Sequence, residues 1–414
     1  MRPLASWLVP AGAAPAAGLL LASRGLRGVA DGCIAVLLPV YLAALGLSLV
    51  DVGLIGTLTL AGSAAATLAV GLWGHRSPAL RLMTAAALLM CATGLGFAAL
   101  HGFWPLAVVA FVGTLNPSAG DVSVFLPLEH ARLANAAQGS DARTRLFARY
   151  SLVGALSGAV GSLAAALPAW LATRAGVPLL AALQAMFVGY AAIGAVVALL
   201  YRQLHLRARD AATPEAAGLA TAAQALGPSR GVVVRIAALF CVDSFAGGLL
   251  VNALMAVWLF QRFGLSVAAA GQVFFATGLL STLSLLAAPA VARRFGLLNT
   301  MVFTHIPSSL FLVAAALVPT LPLALACLLA RATLQQMDVP TRNAFVMALV
   351  TPGERAAAAS VVAVPRSLAA AIGPTIGASL MAAGFLSTPL VACGVLKIGY
   401  DVAMLAMFRR HRVE

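Results

Sequence analysis

The chain has 414 residues, of which 62% are hydrophobic and 9% charged, with a mean hydropathy of +1.00; a soluble domain has about 45–50% apolar and about 25% charged residues, so a soluble enzyme, a disordered protein and a nucleic-acid binder are excluded. The net charge of +14 and pI near 11.1 come from 25 Arg and one Lys against 12 acids, so missing acids contribute as much as added bases. Where the Arg stand therefore matters more than their sum.

In chain order, the opening MRPLASWLVPAGAAPAA has a short apolar core broken by Pro10 and does not read as a cleaved signal. Twelve apolar runs follow, at 22–46, 50–73, 80–100, 104–128, 146–172, 178–201, 231–260, 267–291, 298–318, 322–348, 357–384 and 387–408. Each reaches the length of about 20 residues that spans a bilayer as a helix, and within hydrocarbon a helix satisfies its own backbone. With the N-terminus inside, only Arg174 and Arg262 fall on the outer side, while Arg331, Arg366 and Lys397 fall within runs. The remaining Arg mark the cytoplasmic face. This predicts a multi-pass protein of the inner (cytoplasmic) membrane with both termini cytoplasmic. The five Cys lie in the runs and read as small packing residues rather than disulfides.

One long polar stretch, 202–230, divides the chain into a six-helix bundle at 1–201, a cytoplasmic linker and a second six-helix bundle at 231–414. The two parts repeat each other at an offset of about 210–218 residues. Gly46-Leu47-Ser48 with Gly53 recurs as Gly264-Leu265-Ser266 with Gly271, and Arg76 and Arg294 keep the same distance from them. Asp121-Val122 matches Asp338-Val339; Arg149 and Arg366 each follow at the same spacing. Gly189-Tyr190 matches Gly399-Tyr400. Two copies of six helices share one orientation, an arrangement related by an axis along the membrane normal.

On these residues the chain resembles the major facilitator superfamily over nearly its whole length. LLPVYLAALGLS running into DVGLIGTLTLAGS is a pairing typical of that family, and Gly71 and Arg76 fit its loop between the second and third helices. His75 replaces the acid of that loop and Pro78 its second glycine; Arg293-Arg294-Phe295-Gly296 in the second half also lacks the acid. The resemblance implies an all-α integral membrane fold of twelve transmembrane helices in two bundles. It also implies a central site that alternates between the two sides of the membrane.

Ionisable groups inside a bilayer are costly and need a partner or a wet cavity. Asp121 with Arg149, and Asp338 with Arg366, form a symmetric set that reads either as static ties between neighbouring helices or as a cytoplasmic gate, with Arg76 and Arg294 at the same face. Arg331, Gln335, Asp338 and Arg342 form one stripe if 322–348 is a single helix. Gln336 lies beside the stripe. Arg331 reads as a substrate-cavity residue, or as a packing cation paired with Asp243 or Asp31. Asn116, Asn252, Lys397, Tyr400 and Asp401 are further cavity candidates, with an intrahelical Lys397–Asp401 pair as the plainer reading. Asp31 and Asp243 are the proton-coupling candidates, since burial suits a carboxyl that gains and loses a proton. His305 reads as a packing residue, and the four Glu, Glu129 among them, fall on the cytoplasmic side.

No metal-ligand spacing and no Walker-type phosphate loop is present in the sequence. The expectation is a monomeric secondary transporter, not an enzyme, with no cofactor and a proton gradient as energy source. Its partners are a small-molecule substrate and the lipid bilayer, with no nucleic acid. Export of a drug-like or metabolite solute, anionic given Arg331 and Lys397, is the first reading. Uptake of a small organic anion, or a transporter-like receptor without flux, is the alternative.

Overall fold

The computed structural model describes residues 9, 13–14, 16–74, 77–116, 123–137, 140–210, 227–351 and 354–409. Apart from one antiparallel bridge between Ala13 and Ala137, the regular structure among them is helical. The first half contains α1 (Ala17–Ala44), α2 (Leu49–Trp73), α3 (Ala79–Ala99), α4 (Phe103–Val112), α5 (Phe125–Asn135), α6 (Ser140–Leu163), α7 (Leu167–Ala175) and α8 (Leu179–Asp210). The second contains α9 (Arg230–Gly248), α10 (Asn252–Phe263), α11 (Val267–Phe295), α12 (Leu297–Leu317), α13 (Leu321–Gln335), α14 (Asp338–Leu349), α15 (Arg355–Ala382) and α16 (Thr388–Phe408).

Among the described residues, ten helices, some built from two of these segments, are long and apolar enough to cross a membrane. The other two expected runs are broken among the described residues. At 104–128, α4 stops at Val112 and α5 starts at Phe125. At 322–348 the break falls on Gln336 and Met337, because Pro340 has no N–H to donate to the Gln336 carbonyl and is accommodated only in the first turn of a new helix. The expected single stripe from Arg331 to Arg342 is therefore split between α13 and α14. Outward faces carry large apolar side chains, among them Leu88, Phe303, Leu317 and Ile372, each more than half exposed. Such a surface is matched by lipid, not water.

The repeated Gly-Leu-Ser motif has a local cause. Gly46 and Gly264 take φ of +81° and +64°, a left-handed conformation that glycine adopts freely and that stops the preceding helix. Ser48 and Ser266 then cap the next helix, their hydroxyls accepting from the Asp51 and Ala269 N–H groups, both at 3.2 Å.

The chain divides into two compact units, Met1–Leu47 with Ala61–Thr221, and Ser48–Leu60 with Ala222–Glu414. Helix pairing inside them is the same. In the first unit α1 packs on α6 and α3 on α8; in the second, at the equivalent positions, α9 packs on α15 and α12 on α16. The α1–α6 contact depends on small residues: a Cβ on Gly32 would lie 2.0 Å from the Gly158 carbonyl oxygen, and one on Gly161 2.1 Å from that of Val29. In α9–α15, Gly373 meets the Gly248 backbone in the same manner, at 2.2 Å. Close backbone approach substitutes for a hydrophobic drive that lipid does not supply. Within the second unit, the first half of α2 lies along α15, where Thr57 Oγ1 and Thr375 Oγ1 are 2.7 Å apart.

Candidate functional site

Each unit has a polar core built around one carboxylate. In the first, that carboxylate is Glu129 on α5, fully buried. Four donors converge on it: Ser23 Oγ at 2.8 Å and Tyr201 OH at 2.5 Å on Oε1, with Arg27 and the Tyr150 hydroxyl on Oε2. One side chain so joins α1, α5, α6 and α8. The Arg27 guanidinium also lies over the Phe125 ring at 4.1 Å, and that of Arg24 over Tyr150 at 5.3 Å. Sequence reasoning placed Glu129 at the cytoplasmic side and gave it no role. The signal it left unused is tyrosine: all five Tyr are at most 2% exposed, so each hydroxyl sits where it needs a partner.

Asp31 is half-buried on α1, one turn beyond Arg27, and its carboxylate makes no hydrogen bond or ion pair among the described residues. Arg149 on α6 is half-buried, with its Nη1 buried and without a partner among those residues. Asp121 and Arg76 lie outside the described residues, so the expected Asp121–Arg149 pair cannot be placed. Asn116 is buried beside Leu115 at the end of the segment following α4.

The core of the second unit is a chain of charges around Asp243 on α9, 4% exposed. Lys397 Nζ on α16 donates to its Oδ1 at 2.5 Å, and Arg342 Nη1 on α14 to its Oδ2 at 3.0 Å. Arg342 also contacts Asp338 Oδ2 at 3.3 Å, an i,i+4 pair within α14. At the other end, His305 on α12 places Nε2 3.5 Å from Lys397 Nζ and Nδ1 2.9 Å from Asp401 Oδ2. Lys397 and Asp401 therefore do not form the plain intrahelical pair: each finds a partner on another helix. Tyr400, 2% exposed, packs its ring on Phe240 and His305, with its hydroxyl unbonded among the described residues.

Asp338 and Arg366 are not an ion pair. Asp338 binds Arg342, while Arg366 Nε donates to Ser244 Oγ at 3.0 Å. Both Arg342 and Arg366 lie 5.5 Å from the Phe240 ring centroid, so two guanidiniums share this ring. Arg331 on α13 is half-buried, and its side chain has no hydrogen bond or ion pair among the described residues. It does not pair with Asp243, its expected partner within the same unit. Gln335 and Gln336 are half-buried at the α13–α14 break, Asn252 is half-buried at the start of α10, and Arg294 is exposed at the end of α11 over Phe295.

Outside the spans, Glu354 ties the segment before α9 to the segment before α15. It accepts from the N–H groups of Gly227 and Ser229 and from the Thr351 hydroxyl at 2.8 Å. Hydrogen bonds from Ser229, Thr351 and Gly227 hold its carboxyl below the ordinary value, at about 2.

A profile described as the Major Facilitator Superfamily matches residues 20–374. An uncharacterized membrane protein of Saccharomyces cerevisiae, YJR124C, is 26% identical over 422 residues, covering 94% of this chain and 93% of that protein. Among solved structures, the nucleoside transporter NupG superposes with a TM-score of 0.70 at 15% identity, over 96% of this chain and 100% of that one. A bacterial homologue of the iron transporter ferroportin, in an inward-facing state, gives 0.71 at 15% identity over 94% and 98%. At these identities the solved structures establish the fold alone.

Proposed function

This chain belongs to the Major Facilitator Superfamily, and from that premise we propose that it moves a small organic anion across the inner membrane by proton-coupled alternating access, in the direction of export. It is a multi-pass membrane transporter, in a family of transporters rather than enzymes. The finer reading rests on one observation: among the described residues of the second unit, cations at membrane depth outnumber their counter-ions. Asp243 and Asp338 are engaged with Lys397 and Arg342, and Asp401 with His305. That leaves Arg331 with no carboxylate and Arg366 with a hydroxyl and a ring. A guanidinium without a counter-ion at membrane depth is costly, and an anionic solute supplies what is missing. Asp31 and Asp243 are the proposed coupling carboxylates, Gln335, Gln336, Asn116 and Asn252 further contacts of the solute, and Asp121, Arg149, Arg76 and Arg294 the cytoplasmic gate. The working form is a monomer with no cofactor, with both termini in the cytoplasm.

A thermal-shift screen on the purified protein tests the anion. Aromatic carboxylates are expected to raise the melting temperature while their neutral amides, matched in shape, do not, because binding to the folded form stabilises by mass action. The gain is lost in Arg331→Gln. Equal stabilisation by the amides would remove the anionic substrate from the proposal.

A further inference from the structure

We propose that the His305–Asp401 pair is a proton-binding site that controls which cation Asp243 holds. The proposal rests on the proton-coupled reading above and gives it a location that the sequence did not suggest, since His305 there read as packing.

The pair is enclosed, His305 being 5% exposed and Asp401 wholly buried. The geometry favours one tautomer. Lys397 is an ammonium with three donors and no lone pair, so His305 Nε2, 3.5 Å away, is the accepting nitrogen. The ring proton is then on Nδ1 and is donated to Asp401 Oδ2 at 2.9 Å. In this state Nε2 holds the lone pair that takes up a further proton. That lone pair is also 3.9 Å from Asp243 Oδ1, the oxygen Lys397 occupies.

A proton delivered by hydronium bonds to the Nε2 lone pair; one O–H bond of the hydronium breaks, leaving water, and the Lys397 N–H···Nε2 hydrogen bond is lost. The ring becomes a cation whose new N–H points at the Lys397 ammonium, and both now compete for one oxygen of Asp243. Like charges at this separation repel, and Lys397, on a flexible four-carbon stem, is the partner that moves. Asp401 remains as counter-ion to the imidazolium, and Arg342 keeps Asp243 Oδ2. Loss of the Nε2 proton to water reverses the exchange. One proton thereby becomes a displaced lysine on α16, a change between helices that Asp243 alone, held between two cations, does not generate.

Asp243 on α9 and Lys397 and Tyr400 on α16 border the pair directly, and Arg342 and Asp338 on α14 connect to it through Asp243. The surrounding helices also carry Arg331 on α13, Arg366 on α15 and Cys393 on α16. Helix α11 contributes only Arg293 and Arg294, exposed at its far end.

The test uses the full chain in lipid nanodiscs with 15N-labelled imidazoles, and no solute. Over a pH series spanning the range in which the protein stays folded, one signal is expected to gain a proton on Nε2 while Nδ1 stays hydrogen-bonded. That signal is missing in His305→Gln. In Asp401→Asn it loses the signature of an Nδ1 proton held by a carboxylate, and in Lys397→Gln its titration moves. If Asp401→Asn does not fold, the wild-type and His305→Gln spectra decide. A His305 signal constant over this range, or one that titrates identically in Lys397→Gln, overturns the proposal. Because no solute is present, failure here is separable from failure of the transport reading: pH-driven flux with a silent His305 leaves a transporter whose proton site is elsewhere.

Discussion

Replacing Asp243 with Asn is expected to cost the protein more than any other single exchange in the second unit. The substitution keeps the shape and removes the charge, taking from Lys397 and Arg342 the carboxylate they share. Breaking a buried pair by deleting one partner costs about 3–5 kcal/mol, mostly the penalty of the stranded ion. A marked fall in melting temperature in detergent is predicted, together with loss of transport. Lys397→Gln placed on top of Asp243→Asn removes the stranded ammonium and recovers part of that loss. The double-mutant cycle therefore shows a favourable coupling between the two residues. Additive losses would mean that Lys397 and Asp243 act independently, against the geometry.

Glu129→Gln is expected to have a comparable effect on the first unit for a different reason. An amide offers one acceptor oxygen and an NH2 that donates, so the four donors now aimed at Glu129 no longer all find an acceptor. Arg27, 2% exposed, also loses its anion. Since one carboxylate joins four helices, the loss spreads across the unit, and a fall of about 3–5 kcal/mol in stability is predicted. Adding Arg27→Gln returns part of it, read from the same melting experiment. A Glu129→Gln protein that melts with the wild type would show that the convergence of donors contributes nothing to the fold.

The units differ in kind. Glu129 is fixed by two tyrosines, a serine and one arginine, none of which exchanges protons readily near neutrality. Asp243 is surrounded by a lysine, an arginine and a histidine with its own carboxylate, and partners of that sort can be traded. The Glu129 cluster thus has the character of a static tie, and the groups around Asp243 are of kinds able to change partner.

Much of the architecture was legible from the sequence. Hydropathy located ten spans to within several residues, because lipid demands a continuous apolar run. The repeat was legible because Gly46 and Gly264 stop helices and Ser48 and Ser266 start them, chemistry that a short motif carries by itself. The breaks in two of the runs were not foreseen, although Pro340 was visible, because periodicity treats an apolar stretch as one helix. Within the site, sequence spacing supplied the ionisable residues but not their partners. Lys397 and Asp401 stand one turn apart, yet each is matched to a residue roughly 100 or more positions away. Asp338 and Arg366 sit at repeat-equivalent positions, yet Arg342, four residues from Asp338, takes the pair. Glu129 escaped notice because its partners, Arg27, Tyr150 and Tyr201, come from three other helices. Partner choice depends on which helices pack together, and that is set by close glycine contacts such as Gly32 with Gly158.

The central claim is that an anionic solute and a proton are moved together by the charged core of the second unit. It is tested most directly in proteoliposomes loaded with a pH-sensitive dye and given an outward gradient of the carboxylate that most stabilises the wild type. Solute flux with a matching change in lumenal pH is predicted for the wild type, and both are predicted to vanish together in Arg331→Gln and Lys397→Gln. Flux with no change in lumenal pH would contradict the account, as would coupled flux that survives both substitutions.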